Sequence, residues 1–411
     1  MEKLIILVIT LGLLLGLSGW GIGVEKNLIE EVTREEKIEP SYKEIKSKKA
    51  AELVRRENKK TLNLFPVWAP TDQKITYLKY IEEFDIASIE IRPYDIFISP
   101  SIKAEKKHLK NLYGEIYYVN LDTGKMDKLI SGKVGRRPNW SSDGSKLVFY
   151  STEGICMMDL KTRTKEIILK NIPYLRKKMN VDEARYFFNP VWCPDGEKIV
   201  IKIGYYEGGQ LGFINAKEKK VYYLEPRQGG YFWWSPNNDK IVTAAEARIG
   251  EGGVPSWKPG IFIYDFIKKN STNLLHTSID DTKGAFYPYW DKDNRIYFFY
   301  QEVDRRGPVE NDIVNISFCS VNSDGSQLRK IRQWDLKRWT DNGAWSVNGR
   351  FAFVKEGNIW IMDTKLPSNL FKVTDFGDLP DDSSVGLSWS HDGSKLAFSY
   401  KGSIWMLEIN K

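Results

Sequence analysis

Short apolar runs broken by polar turns follow one another from Phe65 to Glu408, and within them apolar and polar positions tend to alternate. A period of two, with Val, Ile, Tyr and Phe filling the runs, predicts strands. One phrase organises the pattern: a Trp, a polar turn, a Lys or Arg, then a β-rich run. It recurs seven times, beginning at Trp68, Trp140, Trp192, Trp234, Trp290, Trp345 and Trp389. A second phrase follows each copy, opening on Ile or Leu and closing four residues later on a small or acidic residue. Its seven occurrences are Ile116 to Asn120, Ile155 to Asp159, Leu211 to Asn215, Ile261 to Asp265, Ile316 to Ser320, Ile359 to Asp363 and Ile404 to Glu408.

An Asp-Gly or Asn-Gly turn between two β-rich segments supplies the positive φ of a tight hairpin, so the Trp segment and the run after Lys are antiparallel neighbours. The second phrase is a third strand, and a fourth follows a polar turn. Such a four-stranded meander is apolar on both faces and is stable only when stacked on copies of itself. The fold class is therefore all-β, a seven-bladed β-propeller of four-stranded antiparallel meanders. The seven Trp residues are assigned to the core, where a large rigid ring fills the wedge between blades. Trp-to-Trp separations of 72, 52, 42, 56, 55 and 44 residues place the surplus in loops.

Upstream of the ring the pattern changes. Residues 4–24 carry no charge and follow Lys3, which is the form of a secretory signal, and at 21 residues the stretch is long enough to stay as a membrane anchor. Residues 25–60 are densely charged, and 41–56 have helix-forming composition. The organisation expected is thus 1–24 signal peptide or anchor, 25–60 charged, partly helical stalk, and 61–411 propeller, outside the cytoplasm. The seventh blade ends after its third strand, so a segment within 53–64 is expected to supply its fourth and close the ring.

Composition removes several classes of function. The net charge of +7 is spread over 61 basic and 54 acidic residues without a long basic block, which argues against nucleic acid. Cys156, Cys193 and Cys319 are too scattered for a disulfide framework or a thiolate metal site. His108, His276 and His391 fall in different parts of different repeats and do not share one ion, so neither metal nor cofactor is expected.

The phrase W-S-x-D-G-x-K-[IL]-x-[FY], carried nearly in full by Trp140 to Phe149 and Trp389 to Phe398, resembles the repeat of the TolB-type propellers over 65–408. The same repeat occurs in propellers of prolyl-oligopeptidase-like and dipeptidyl-peptidase-like enzymes and of oligogalacturonate lyases. The resemblance implies a periplasmic or cell-surface propeller that takes a protein or peptide ligand at its central opening. TolB itself has six repeats and a separate preceding domain, which this sequence lacks.

Strands a to d run outward from the axis, so a-to-b and c-to-d turns share one face, and b-to-c loops and d-to-a connections share the other. Every long surplus falls on the second face: 81–113, 204–210, 246–260 and 301–315 within blades, 171–189 and 333–342 between them. Loops of this kind carry function. Their aromatic and guanidinium side chains suit a protein partner: Tyr94, Tyr174, Arg176, Tyr205, Tyr206, Arg248, Trp257, Arg305, Arg306, Trp334 and Trp339. The chain has no G-x-S-x-G nucleophile elbow. Loop acid pairs such as Glu246 with Glu251, or Asp304 with Glu310, offer a carbohydrate-active alternative without a motif. A binding protein that is not an enzyme is the expectation.

Overall fold

A tight antiparallel hairpin needs a residue in the left-handed region, and each of the seven repeat turns has one four residues beyond its Trp. Asp72, Gly144, Gly196, Asn238, Asn294, Gly349 and Gly393 have φ from 55° to 77°. Three of the seven are Asp or Asn, the side chains that tolerate this conformation best after glycine. The sequence phrase therefore marks a backbone requirement.

The computed structural model describes residues 41–42, 50–58, 61–81, 114–135, 137–151, 153–171, 186–205, 208–224, 230–245, 248–249, 255–257, 260–275, 283–304, 313–336, 342–380 and 383–409. Blade 1 runs through strands Thr61–Trp68, Lys74–Ile81, Gly114–Asn120 and Met126–Val134, and blade 2 through Asn139–Trp140, Lys146–Ser151, Gly154–Asp159 and Thr164–Lys170. Blade 3 has Tyr186–Trp192, Lys198–Tyr205, Gly208–Asn215 and Lys220–Tyr223; blade 4 has Tyr231–Trp234, Lys240–Ala245, Gly260–Asp265 and Asn270–Asn273. Blade 5 has Lys283–Trp290, Arg295–Asp304, Ile313–Asn322 and Arg329–Leu336; blade 6 has Gly343–Trp345, Arg350–Lys355, Asn358–Asp363 and Leu366–Lys372. Blade 7 has Ser388–Trp389, Lys395–Tyr400 and Ser403–Glu408, and its outer strand is Ala51–Val54.

The core sits between blades. Among the described residues seven hydrophobic clusters each join two sequence-adjacent or ring-closing blades, one cluster per seam. Blade 6 shows how the alternation of strand side chains does this. Ala352 and Val354 face blade 7, while Phe351 and Phe353 on the same strand face blade 5. A sheet buried on both faces in this way reads as an almost unbroken apolar run.

The phrase Trp residues lie in these seams. Trp68, Trp192, Trp290, Trp345 and Trp389 are buried, whereas Trp140 and Trp234 are half-buried. Four of them reach the preceding blade by an indole N–H bond. Trp68 donates to the Ser388 carbonyl at 2.9 Å, Trp140 to Thr76 Oγ1 at 3.2 Å, Trp345 to the Tyr287 carbonyl at 2.8 Å and Trp389 to the Ala344 carbonyl at 2.9 Å. Among the described residues the Nε1 atoms of Trp192, Trp234 and Trp290 have no such acceptor.

Innermost strands of blades 1, 3 and 5 bulge at the same place. Phe65, Asn189 and Tyr287 have φ of 56°, 49° and 46°, each followed by a proline, and the register with the second strand shifts there. A bulge leaves ladder groups unpaired, and the proline removes a donor on the edge that faces the axis.

Closure uses the N-terminal side of the chain. Ala51–Val54 pairs antiparallel with Ser403–Glu408, Ala51 opposite Met406 and Val54 opposite Ile404. The donor begins two residues before the expected 53–64 and overlaps it at Leu53 and Val54, inside the stretch whose composition favours helix. Helix propensity is a weak prior, and Val54 at 3% exposure shows the packing that overrides it. A shorter strand, Ser41–Tyr42, adds to the outer edge of blade 6 in parallel with Leu366–Lys372. Residues 1–40, and with them the signal or anchor and most of the stalk, lie outside the described residues.

Candidate functional site

Each blade runs its first strand toward the short a-to-b turn, so the starts of strands a and c and the ends of strands b and d collect on the opposite, long-loop face. Several surpluses there are not loose connections. In blade 5 the second and third strands pair as far as Asp304 with Ile313, and the fourth strand follows with Trp334 opposite Ile316 and Leu336 opposite Val314. In blade 3 the ladder continues to Tyr205 opposite Gly208. Segments 204–210, 301–315 and 333–342 are therefore partly strand, because continuing the ladder satisfies backbone groups that a loop would leave to water.

The surplus of blade 4 builds its own hairpin. Arg248–Ile249 pairs antiparallel with Pro255–Trp257, and the register sets Arg248 opposite Trp257. Residues directly opposite in an antiparallel pair are the ones whose side chains share a face. Arg248 and Trp257 thus occupy one register position on an element added to the ring. Blades 4 and 5 are neighbours, and both extend on this face.

The side chains of the eleven candidate residues are outside what is described. Tyr205, Arg248, Trp257 and Trp334 have their backbones in strands, whereas Tyr94, Tyr174, Arg176, Tyr206, Arg305, Arg306 and Trp339 lie outside the described residues altogether. The ladder places Arg248 and Trp257 together and puts Trp334 on the next blade.

Other groups on the same face are fully described. Where blade 6 hands over to blade 7, Tyr400 donates its hydroxyl to Asp378, and Lys401 pairs with the same carboxylate at 2.8 Å. Phe376 packs on Tyr400 with centroids 4.4 Å apart, and Lys401 Nζ lies 4.8 Å from the Tyr400 ring. Hydrogen bonds from Lys401 and Tyr400 hold the Asp378 carboxyl below its usual range, and its carboxylate raises Lys401 in turn. Asp378 pins this connection onto the ring. Its neighbours Asp381 and Asp382 lie outside the described residues.

Three amides also lie toward this side: Asn63 early in the first strand of blade 1, Gln210 early in the third strand of blade 3, and Asn342 just before the first strand of blade 6. They are 2%, 4% and 3% exposed, and Asn63 Oδ1, Gln210 Oε1 and Asn342 Nδ2 have no partner among the described residues. Leaving a buried polar atom unpaired costs about 1–3 kcal/mol. Sequence reading missed them; for Asn63 and Gln210 the signal is a polar residue at a strand position otherwise filled by apolar ones, and Asn342, just before a strand, carries none.

On the opposite face the a-to-b turns meet near the axis. His391 and Asp392 donate their backbone N–H groups to the Asp72 carboxylate at 2.8 and 3.2 Å, and Asn348 donates to the Asp392 carbonyl at 2.7 Å. His391 is thus an exposed turn residue, and His108 and His276 lie outside the described residues. Among the described residues no group of three or more His, Cys, Asp or Glu could hold a metal ion. Burial raises the Cys193 and Cys319 thiols to about 12, and Cys156 is raised for the same reason, which suits small core residues and not nucleophiles.

No family model and no curated protein matches the chain. Solved structures do resemble it. An oligogalacturonate lyase in complex with manganese shares 10% identity at a TM-score of 0.59, covering 91% of this chain and 97% of its own. The oligogalacturonate lyase of Vibrio parahaemolyticus shares 9% at 0.56, covering 91% and 99%. A putative TolB from Agrobacterium tumefaciens shares 17% at 0.41, covering 72% and 98%. The two lyases overturn the expectation that the chain is not an enzyme, since the ring it shares with them is one that carries catalysis. That expectation rested on missing motifs, and catalytic residues carried on loops need no local signature. The chain is a seven-bladed β-propeller, a fold it shares with these lyases.

Proposed function

We propose that the ring works outside the cytoplasm and engages a protein or peptide partner through its long-loop face. The observation that carries this reading is the blade 4 hairpin, which sets Arg248 opposite Trp257 on an element the ring does not need for closure. Trp and Arg are the residues that most often anchor protein interfaces, and an adjoining wall from blade 5 gives such an anchor a flank. The bulges and prolines along the innermost strands oppose strand addition at the axis, so recognition rests on side chains of the rim.

A photo-crosslinking amino acid at position 257, with a second at the exposed Lys217 on the short-turn face as control, tests the proposal in envelope extracts. The expected result is a discrete adduct from position 257 that disappears in Arg248→Ala, with none from position 217. Equal labelling from both positions defeats the reading. Because lyases share the ring, the same protein is assayed on oligogalacturonate with manganese for unsaturated product. Turnover there, lost on changing the long-loop residues, replaces the protein partner by a sugar chain on the same face.

A further inference from the structure

The added strand Ser41–Tyr42 has a direction. It runs parallel to Leu366–Lys372, the outer strand of blade 6, which starts at a c-to-d turn on the short-turn face and ends on the long-loop face. The chain therefore enters the described structure from the short-turn side. Sixteen residues, 25–40, connect it to the uncharged stretch 4–24, and even fully extended they reach about 55 Å.

That same face carries the exposed apolar residues. Among the described residues the large exposed hydrophobics are Met126, Ile267, Val347 and Leu366, at 51%, 78%, 53% and 54%; Ile267 and Val347 sit in turns of the short-turn face, and Met126 and Leu366 open outer strands at that same face. Three lie at the c-to-d ends of their blades on the outer rim, each beside exposed lysine: Lys125, which also pairs with Asp127 at 3.1 Å, with Met126 in blade 1, Ile267 with Lys268 and Lys269 in blade 4, Lys365 with Leu366 in blade 6. Single exposed apolar residues need no explanation. Three such tips, each paired with a cation and spaced around a ring, define a plane.

We propose that this rim rests on an anionic lipid surface, with the apolar tips entering the headgroup layer and the lysines meeting lipid phosphates. The inference takes the anchor alternative for residues 4–24, and it adds an orientation: short turns toward the membrane, long-loop face toward solution. A lysine near an anionic surface contributes about 1 kcal/mol, and the tether supplies the local concentration that makes such weak contacts count.

The full-length chain in phosphatidylcholine vesicles containing phosphatidylglycerol provides the test. Single dyes go on Lys217→Cys at the short-turn face or Lys170→Cys at the long-loop end of blade 2; the native cysteines are buried and stay unlabelled. A strand of this length separates the two sites by about 20 Å. Energy transfer to a headgroup acceptor is expected to be several-fold stronger from position 217. The combined Met126→Ser, Ile267→Ser and Leu366→Ser variant is expected to bring the two sites toward equality, without change in melting temperature or in vesicle association. Equal transfer in the parent chain, or a bias the triple variant leaves intact, overturns the lipid contact while the anchor stands. A chain that remains in the soluble fraction overturns the anchor and the orientation with it.

Discussion

Two tryptophans in equivalent positions do different work according to what their indole nitrogen meets. Trp345 fills the seam between blades 5 and 6 and bonds the Tyr287 carbonyl, whereas Trp290 fills the seam between blades 4 and 5 with its Nε1 unpartnered among the described residues. Replacing either by Phe removes similar volume, so the difference isolates the hydrogen bond. Trp345→Phe is expected to lower unfolding free energy by about 1 kcal/mol more than Trp290→Phe, measured by denaturant titration. The turns give a second case. Asp143 accepts from the Ser141 hydroxyl and from the Ser145 hydroxyl and N–H, and Asp392 accepts likewise from Ser390 and Ser394, which holds both carboxyls at about 2. Their folded values are depressed, so the stability they add is complete above the unfolded value near 4 and is lost as pH falls through about 2. Carboxyl carbon shifts followed by NMR are expected to show midpoints near 2 at both sites and ordinary values in Ser141→Ala and Ser390→Ala. Both residues are largely solvent-facing, so the associated loss of stability is small.

At the scale of the element, closure is the weak point of a ring. Blade 7 takes its outer strand from the far end of the sequence, and without Ala51–Val54 its third strand becomes an open edge and Ile404 loses its cross-strand partner Val54. Burying one such aliphatic side chain contributes about 1.5–3 kcal/mol, and four ladder residues add to it. Deleting residues through Val54 is therefore expected to lower the melting temperature by several degrees and to expose the edge to self-association, whereas deletion through 40 leaves it almost unchanged. Equal melting temperatures for the two truncations contradict the closure. Much of the ring is legible in the sequence because each blade's requirement is local: a Trp, then a left-handed turn residue four positions on, then an apolar run. The exact donor strand is not, because Ala51–Val54 lies in a charged segment with helix-forming composition and becomes a strand only through an edge hundreds of residues away. The candidate site is legible only as a face. Register between Arg248 and Trp257 depends on a hairpin whose turn carries no repeat phrase, and the partner of Asp378 is a tyrosine from the next blade.

The ring is seven seams in a circle, and among the described residues each seam is a separate hydrophobic cluster, so no single central core holds the molecule. Linear repeat arrays can fray from their ends, and a ring hides its ends by pairing them. The seam most exposed to fraying is the one held by a four-residue strand at the chain's beginning. Joining that strand covalently to its neighbour tests whether global unfolding starts there. Ala51 and Met406 are directly opposite in the antiparallel pair, a geometry in which Cα atoms stand about 4.5–5.5 Å apart and a disulfide fits. The native cysteines are buried and do not compete. An Ala51→Cys, Met406→Cys variant is expected, when oxidised, to melt several degrees above its reduced form and to unfold more slowly, since in the chain-entropy account a link between distant residues adds as much as roughly 4–5 kcal/mol. A control link inside blade 3, Lys202→Cys with Leu211→Cys, closes a short loop in a seam that is not at an end and is expected to change the unfolding rate little. If both links slow unfolding alike, opening does not begin at blade 7, and the ring comes apart at a seam that the closing strand does not guard.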